Sequence, residues 1–196
     1  VDLPQAGILT SYTIVTPVQY PGQTETEPFA RVHVLLEGTD VVLSYQVLVD
    51  TPNESSSAQF LARRVYPIQR GDTILVHAAA GGVGLIACQW LAHLGVTVIG
   101  TVGSDEKAEL ARAHGCAHPV VYTREDFVAR VRELTGGQGV PVVYDSVGRA
   151  TFDGSLACLR RRGMLVGFGN ASGKPEPFDM ARLAQGGSLF LTRPTL

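Results

Sequence analysis

The 196-residue sequence predicts an α/β fold: a doubly wound parallel sheet preceded by a small antiparallel β unit. Three observations predict it. Up to about Asp50 the apolar residues alternate with polar ones. Beyond a polar linker, Thr51-Pro-Asn-Glu-Ser-Ser-Ser57, apolar strand-length runs alternate with helix-length segments. The first of those runs leads straight into a glycine cluster that opens a helix. The natural division is therefore residues 1–54 and 55–196.

In the first part, residues 7–16 are rich in β-branched side chains, and a Pro/Gly loop follows over 17–28. Val32, Val34 and Leu36 fall on one face of an extended segment. Val41, Leu43, Tyr45, Val47 and Val49 do the same, and Gly38-Thr39-Asp40 between them suits a hairpin turn. In the second part, residues 58–66 predict a short helix and 73–79 an apolar strand. Helix 82–94 is ended by Gly95 and helix 104–114 by Gly115, with strand 96–102 between them. Strand 119–122, helix 124–134, strand 140–146, helix 150–159 and strands 164–168 and 189–192 complete six strands. Their apolar character throughout suits strands covered on both faces.

Apolar residues make up 45% of the chain, enough for a proper core, and the net charge is −2. No run of Lys or Arg suggests a nucleic-acid partner. The one basic cluster, Arg160-Arg161-Arg162, precedes Gly163 and is expected to sit at a helix C-terminus, where cations favour the dipole. Cys88, Cys116 and Cys158 are odd in number and lack CxxC spacing, so neither a disulfide framework nor a zinc knuckle is expected. No membrane-length span and no basic-then-apolar leader is visible, and a reducing, cytoplasmic setting is the expectation. The opening Val1 suggests a piece of a longer chain or an engineered product.

The chemistry is expected at the glycine cluster. Ala79-Ala80-Gly81-Gly82-Val83-Gly84 follows a strand and opens a helix. A pyrophosphate binds best where free helix N–H groups and the dipole point outward. Gly81 and Gly82 let the backbone approach it, and Gly84 lets the helix pack on the strand. This is a dinucleotide-binding, Rossmann-type fingerprint, with Ala79 at the first glycine position. A merely tight strand–helix turn is the alternative.

The next strand reports on the cofactor. Enzymes that use NAD place an acidic residue at its end for the ribose hydroxyls. Here Gly100-Thr-Val-Gly-Ser104 holds no carboxylate, and Lys107 follows one helical turn later. Lys107 and Ser104 can serve a 2′-phosphate, which favours NADPH. Ser104 can equally cap a helix whose first turn carries Asp105 and Glu106, and those two carboxylates keep NADH as the alternative. Ser146, Gly169 and Asn170 lie at later strand ends and are candidates for the nicotinamide side; ordinary turns are the competing account. His77 is expected to be a satisfied core histidine. Cys116 and His118 lack further ligands nearby, so no metal site is expected.

From about Ala58 onward the chain resembles the zinc-independent NADPH:quinone oxidoreductases of the medium-chain dehydrogenase/reductase superfamily. The residues that carry this are Ala58–Arg64, Gly71-Asp-Thr-Ile-Leu-Val-His-Ala-Ala-Ala-Gly-Gly-Val-Gly84, Gly100–Gly103 with Lys107, Tyr122-Thr-Arg-Glu-Asp126, Leu134–Gly139, Tyr144–Gly148 and Ser188–Pro194. The resemblance implies that Gly82 and Val83 meet the pyrophosphate. Gly103, Ser104, Lys107 and Tyr122 would hold the 2′-phosphate end, and Phe168, Gly169 and Asn170 would flank the nicotinamide. It implies metal-free hydride transfer from NADPH to a quinone or activated alkene. It also implies a homodimer through the last strand, whose apolar Leu189-Phe190-Leu191 suits a paired edge. The family's substrate domain is not matched by the first 50 residues, so catalysis by this chain alone is not expected.

Residues 5–50 resemble instead the OB-fold half of the zinc-ribbon/OB proteins that accompany thiolases. The likeness runs through Gly7–Thr16, Pro21-Gly22 and Glu27–Ala30, without the four-cysteine ribbon. It implies a chimera joined near residues 55–58. In the alternative reading, the β unit docks on an acyl-CoA enzyme and the rest is a scaffold.

Overall fold

The computed structural model describes residues 7–15, 29–36, 42–48, 58 and 61–194. The chain divides into two compact units, Val1–Ser56 and Ser57–Leu196. The first holds β1 (Gly7–Val15), β2 (Phe29–Leu36) and β3 (Val42–Leu48), an antiparallel meander in the order β1-β2-β3. β2 and β3 pair without a slip from Phe29 opposite Leu48 to Leu35 opposite Val42. The β1–β2 register shifts between Leu9 and Ser11, the mark of a bulge. The expected hairpin turn at residues 38–40, the loop 17–28 and the linker 51–57 lie outside the described residues.

The second unit is a six-stranded, fully parallel sheet. It contains β4 (Thr73–Val76), β5 (Thr97–Val102), β6 (His118–Val121), β7 (Val140–Asp145), β8 (Leu159–Gly167) and β9 (Phe190–Thr192). The order is β6-β5-β4-β7-β8-β9. Counted within the unit this is 3-2-1-4-5-6, with the chain reversing direction across the sheet between β4 and β7. Helices α1 (Gly82–His93) and α2 (Asp105–Ala113) cover one face, packing Ala87, Cys88, Leu91, Ala108 and Ala111 on Ile74, Val98 and Val142. Helices α3 (Phe127–Leu134) and α4 (Phe152–Cys158) cover the other, with Val131 and Leu156 on Leu75, Ile99 and Leu165. Every residue of β7 is buried, as a strand with helices on both faces demands.

Helix ends follow the sequence signals. Gly95 (φ 76°) closes the turn after α1, and Gly115 (φ 93°) the turn after α2. Four expectations need correction. The strand expected over 73–79 ends at Val76, because Ala78 takes a left-handed backbone (φ 53°); single bonds from His77 N to Tyr144 O (2.9 Å) and Ala79 N to Thr101 O (3.0 Å) continue the ladder beyond it. The helix expected over 124–134 starts at Phe127, because the Asp126 side chain accepts from Val128 N and caps it there. Arg160, Arg161 and Arg162 are not at a helix end: α4 stops at Cys158, and the arginines lie in β8 where its register against β7 slips. Arg162 has φ 58° and its guanidinium sits 5.6 Å from the Phe190 ring centre. The helix expected over 58–66 is represented by Ala58 and one wide π-type turn, Leu61–Val65, tied to β7 by the Tyr144 hydroxyl donating to Leu61 O at 2.9 Å. A short helix α5 (Ala181–Gln185) had no expectation. No described helix is long and apolar enough to cross a membrane.

Candidate functional site

The site forms where β4 feeds α1. Ala78 turns its carbonyl toward the helix start. A Cβ on Gly84 would stand 2.3 Å from that oxygen and 2.9 Å from the Ala79 backbone. A Cβ on Gly81 would stand 3.2 Å from the same oxygen. Only hydrogen fits at 84, so α1 lies directly on the end of β4. Gly81 and Gly82 are exposed at the mouth, and Val83 is half-buried against the core. The N-terminus of α1 has no side-chain cap and no acidic residue in its first turn. Its free N–H groups and the positive end of its dipole are thus left for an anion.

Beside it, at the end of β5, Gly103, Ser104, Lys107 and Tyr122 come together. A Cβ on Gly103 would stand 3.0 Å from the Tyr122 hydroxyl, so that ring end lies over Gly103; Tyr122 is 56% exposed. Ser104 is the N-cap of α2, accepting from Lys107 N at 3.3 Å. Its hydroxyl also holds the Glu106 carboxyl below the ordinary range. The capping role is therefore what this structure displays for Ser104. Lys107 is exposed. Arg124, which sequence reasoning passed over, donates to both Asp105 oxygens at 2.7 and 2.6 Å.

On the other side of α1, Ser146, Phe168, Gly169 and Asn170 meet at the ends of β7 and β8. Phe168 N donates to Asp145 O (2.9 Å) and Ala171 N to Ser146 O (3.1 Å). A Cβ on Gly169 would stand 2.3 Å from Ser146 O, so the two turns touch backbone to backbone. Arg193 donates to Gly169 O at 3.0 Å. A cavity of about 400 Å³ opens here, lined by Gly169, Asn170, Lys174, Phe178, Leu191 and Arg193 among others. Of the sequence-derived candidates, Gly169 and Asn170 line it; Arg193 lies in the Ser188–Pro194 segment but was given no site role, and Lys174 and Phe178 carried no local motif that would have marked them.

A buried polar chain runs beneath these groups. Asp145 accepts from Val147 N (2.8 Å), Gly148 N (2.9 Å), Thr151 Oγ1 (2.7 Å) and Ser155 Oγ (2.9 Å). Ser155 Oγ lies 3.0 Å from His77 Nε2, and His77 Nδ1 lies 2.8 Å from Thr101 Oγ1. Burial pushes the His77 pKa down to about 4, against the opposing pull of Asp145. His77 is thus a neutral, hydrogen-bonded core residue, as the sequence suggested. All three cysteines are buried and free; burial pushes the Cys158 thiol up to about 12, which keeps it protonated.

The three groups of candidates therefore sit on five adjacent strand ends, β6, β5, β4, β7 and β8, around the point where strand order reverses. At ordinary strand spacing these ends span about 19 Å, an elongated crevice with an anion-ready helix end at its centre. That fold and crevice define a dinucleotide-binding Rossmann domain. The model of the family described as zinc-binding dehydrogenase matches residues 82–192, more than half of the chain, and the chain belongs to that family. Within it the likeness runs to quinone oxidoreductases. The chain is 48% identical over 172 residues to a quinone oxidoreductase of Pseudomonas aeruginosa, covering 86% of this chain and 53% of that one. It is 52% identical over 141 residues to a 2-haloacrylate reductase of a Burkholderia species, covering 71% and 42%. The solved structure of Escherichia coli quinone oxidoreductase complexed with NADPH matches with a TM-score of 0.70 and 38% identity, covering 94% of this chain and 61% of that one. The chain thus spans about half the length of the curated relatives it matches. The family description speaks of zinc, but among the described residues no three His, Cys, Asp or Glu side chains gather as ligands. The described residues thus offer no donor set that fits a zinc ion.

Proposed function

We propose that this chain is the NADPH-binding half of a quinone-oxidoreductase-type enzyme, which transfers hydride from NADPH to a quinone or activated alkene. The observation that carries the reading is the uncapped, acid-free N-terminus of α1, pressed onto β4 by Gly84 and open at Gly81 and Gly82. Gly81, Gly82 and Val83 take the pyrophosphate. Gly103, Lys107 and Tyr122 take the 2′-phosphate end, with Ser104 fixing the helix start beneath them. Ser146, Phe168, Gly169 and Asn170 orient the nicotinamide end. NADPH, when bound, supplies the hydride; these residues bind it, orient it and fix its distance from the sheet. NADH is the weaker ligand in this reading. The chain spans about half the length of the curated relatives it matches, so binding without turnover is expected of the 196 residues alone.

The proposal extends to a reducing, cytoplasmic setting, supported by three buried free cysteines, and to a homodimer through β9. For residues 5–50, an OB-like origin and a chimeric junction are supported by the β1-β2-β3 meander, the pattern with which such a barrel begins. A thermal melt tests the central claim. NADPH at about 100 Kd adds about 2.7 kcal/mol to the folded state, several degrees in Tm. The shift should shrink with NADH and with Lys107→Ala. No shift with either nucleotide would end the proposal and leave the scaffold reading.

A further inference from the structure

Asp105 and Glu106 open α2 just beyond the end of β5, next to the strand end at which NAD-dependent enzymes keep the acid that accepts from the ribose hydroxyls. A free carboxylate there would also repel a 2′-phosphate. Neither acid is free. Arg124, from the turn after β6, grips both oxygens of Asp105 in a planar fork at 2.6 and 2.7 Å. Glu106 is held by the Ser104 hydroxyl. The two turns are locked in register by Tyr122 N donating to Val102 O (3.1 Å) and Thr123 Oγ1 donating to Gly103 O (3.5 Å), so Arg124 is delivered to Asp105 by the backbone itself. Lys107 makes no ion pair among the described residues and is left as the exposed cation at this end of the crevice.

We infer that Arg124 is a specificity-determining residue: by engaging Asp105 it neutralises the carboxylate that would otherwise favour an unphosphorylated ribose, and so sets the preference for a 2′-phosphorylated dinucleotide. The inference rests on the dinucleotide-binding reading above. An exposed ion pair contributes little to stability, so the effect of this pair lies in charge placement and its removal leaves the fold intact.

The test is a fluorescence titration of the full 196-residue chain with NADPH and with NADH at low salt. It uses the wild type, Arg124→Gln and the double variant Arg124→Gln/Asp105→Asn, with Tm measured without nucleotide as a folding check. Arg124→Gln should weaken NADPH about tenfold and leave NADH unweakened, the scale of one charge unmasked at short, partly screened distance. The double variant should recover NADPH binding to within about twofold, since the unmasked charge is gone. An unchanged NADPH/NADH ratio in Arg124→Gln overturns the inference. So does a double variant as weak as the single one, which would mean that Arg124 grips the phosphate itself. A wild type that binds neither nucleotide overturns the dinucleotide reading, and the inference with it; a wild type that binds both, with variants that match it, overturns the inference alone.

Discussion

At position 84 one methyl group decides whether α1 can lie on β4. The nearest atoms are backbone, Ala78 O at 2.3 Å and Ala79 C at 2.9 Å from an added Cβ, and they cannot swing aside. Gly84→Ala should therefore destabilise the domain by about 1–3 kcal/mol, the range for overpacking a filled site, read as a lower urea midpoint at unchanged slope. His77 gives a second prediction at this scale. Its folded pKa is about 4 and its unfolded value 6.5. The unfolded chain therefore binds the proton first as pH falls. Stability is full above about 6.5, declines toward pH 4, and loses about 3 kcal/mol to this group across that window. Urea midpoints measured from pH 7 to 4 should fall less steeply in His77→Gln; equal slopes would remove His77 as the cause. Single-residue features carried by local type were readable in the sequence: the fingerprint glycines, the Ser104 cap, the core nature of His77. Those that depend on remote partners were not. His77 meets Ser155 across 78 positions and Arg124 meets Asp105 across 19, and no local spacing encodes either. The left-handed Ala78 was also hidden, since alanine gives no sign of such a backbone.

Among the helices, Ser104 caps α2 and Asp126 caps α3 by accepting from Val128 N (2.9 Å) and Ala129 N (3.3 Å), whereas α1, α4 and α5 have no side-chain cap. Asp126→Ala should cost about 1 kcal/mol, seen as a lower Tm by circular dichroism, with the NADPH-induced shift preserved because α3 lies on the far face. Strand and helix periodicity made most elements legible, and the glycines after α1 and α2 located their ends. The failures have physical causes. A run of three arginines looked like a helix C-terminus, but Leu159 had already turned extended (ψ 142°), and the arginines follow in strand β8. The five-residue α5 has no buried residue, so no apolar stripe announced it.

At the scale of the molecule, the alternation of apolar strands and crossover helices announced a parallel, doubly wound six-stranded sheet; the order β6-β5-β4-β7-β8-β9 is set by packing that the rhythm does not encode. The rhythm also leaves the edge open. β9 ends the sheet beside β8, with Phe190 46% and Leu191 38% exposed and one face of the Phe190 ring covered by Arg162. A sheet edge with apolar side chains is a template for another strand, and the closed way to satisfy it is a twofold copy of itself. Light scattering after size exclusion should accordingly find a dimer at micromolar concentration. Phe190→Lys/Leu191→Lys sets two charges on that edge, which a paired strand must bury against their own symmetry mates. The variant should run as a monomer. A monomeric wild type would dismiss the edge as an interface. A dimer that survives both lysines would move the interface elsewhere on the surface.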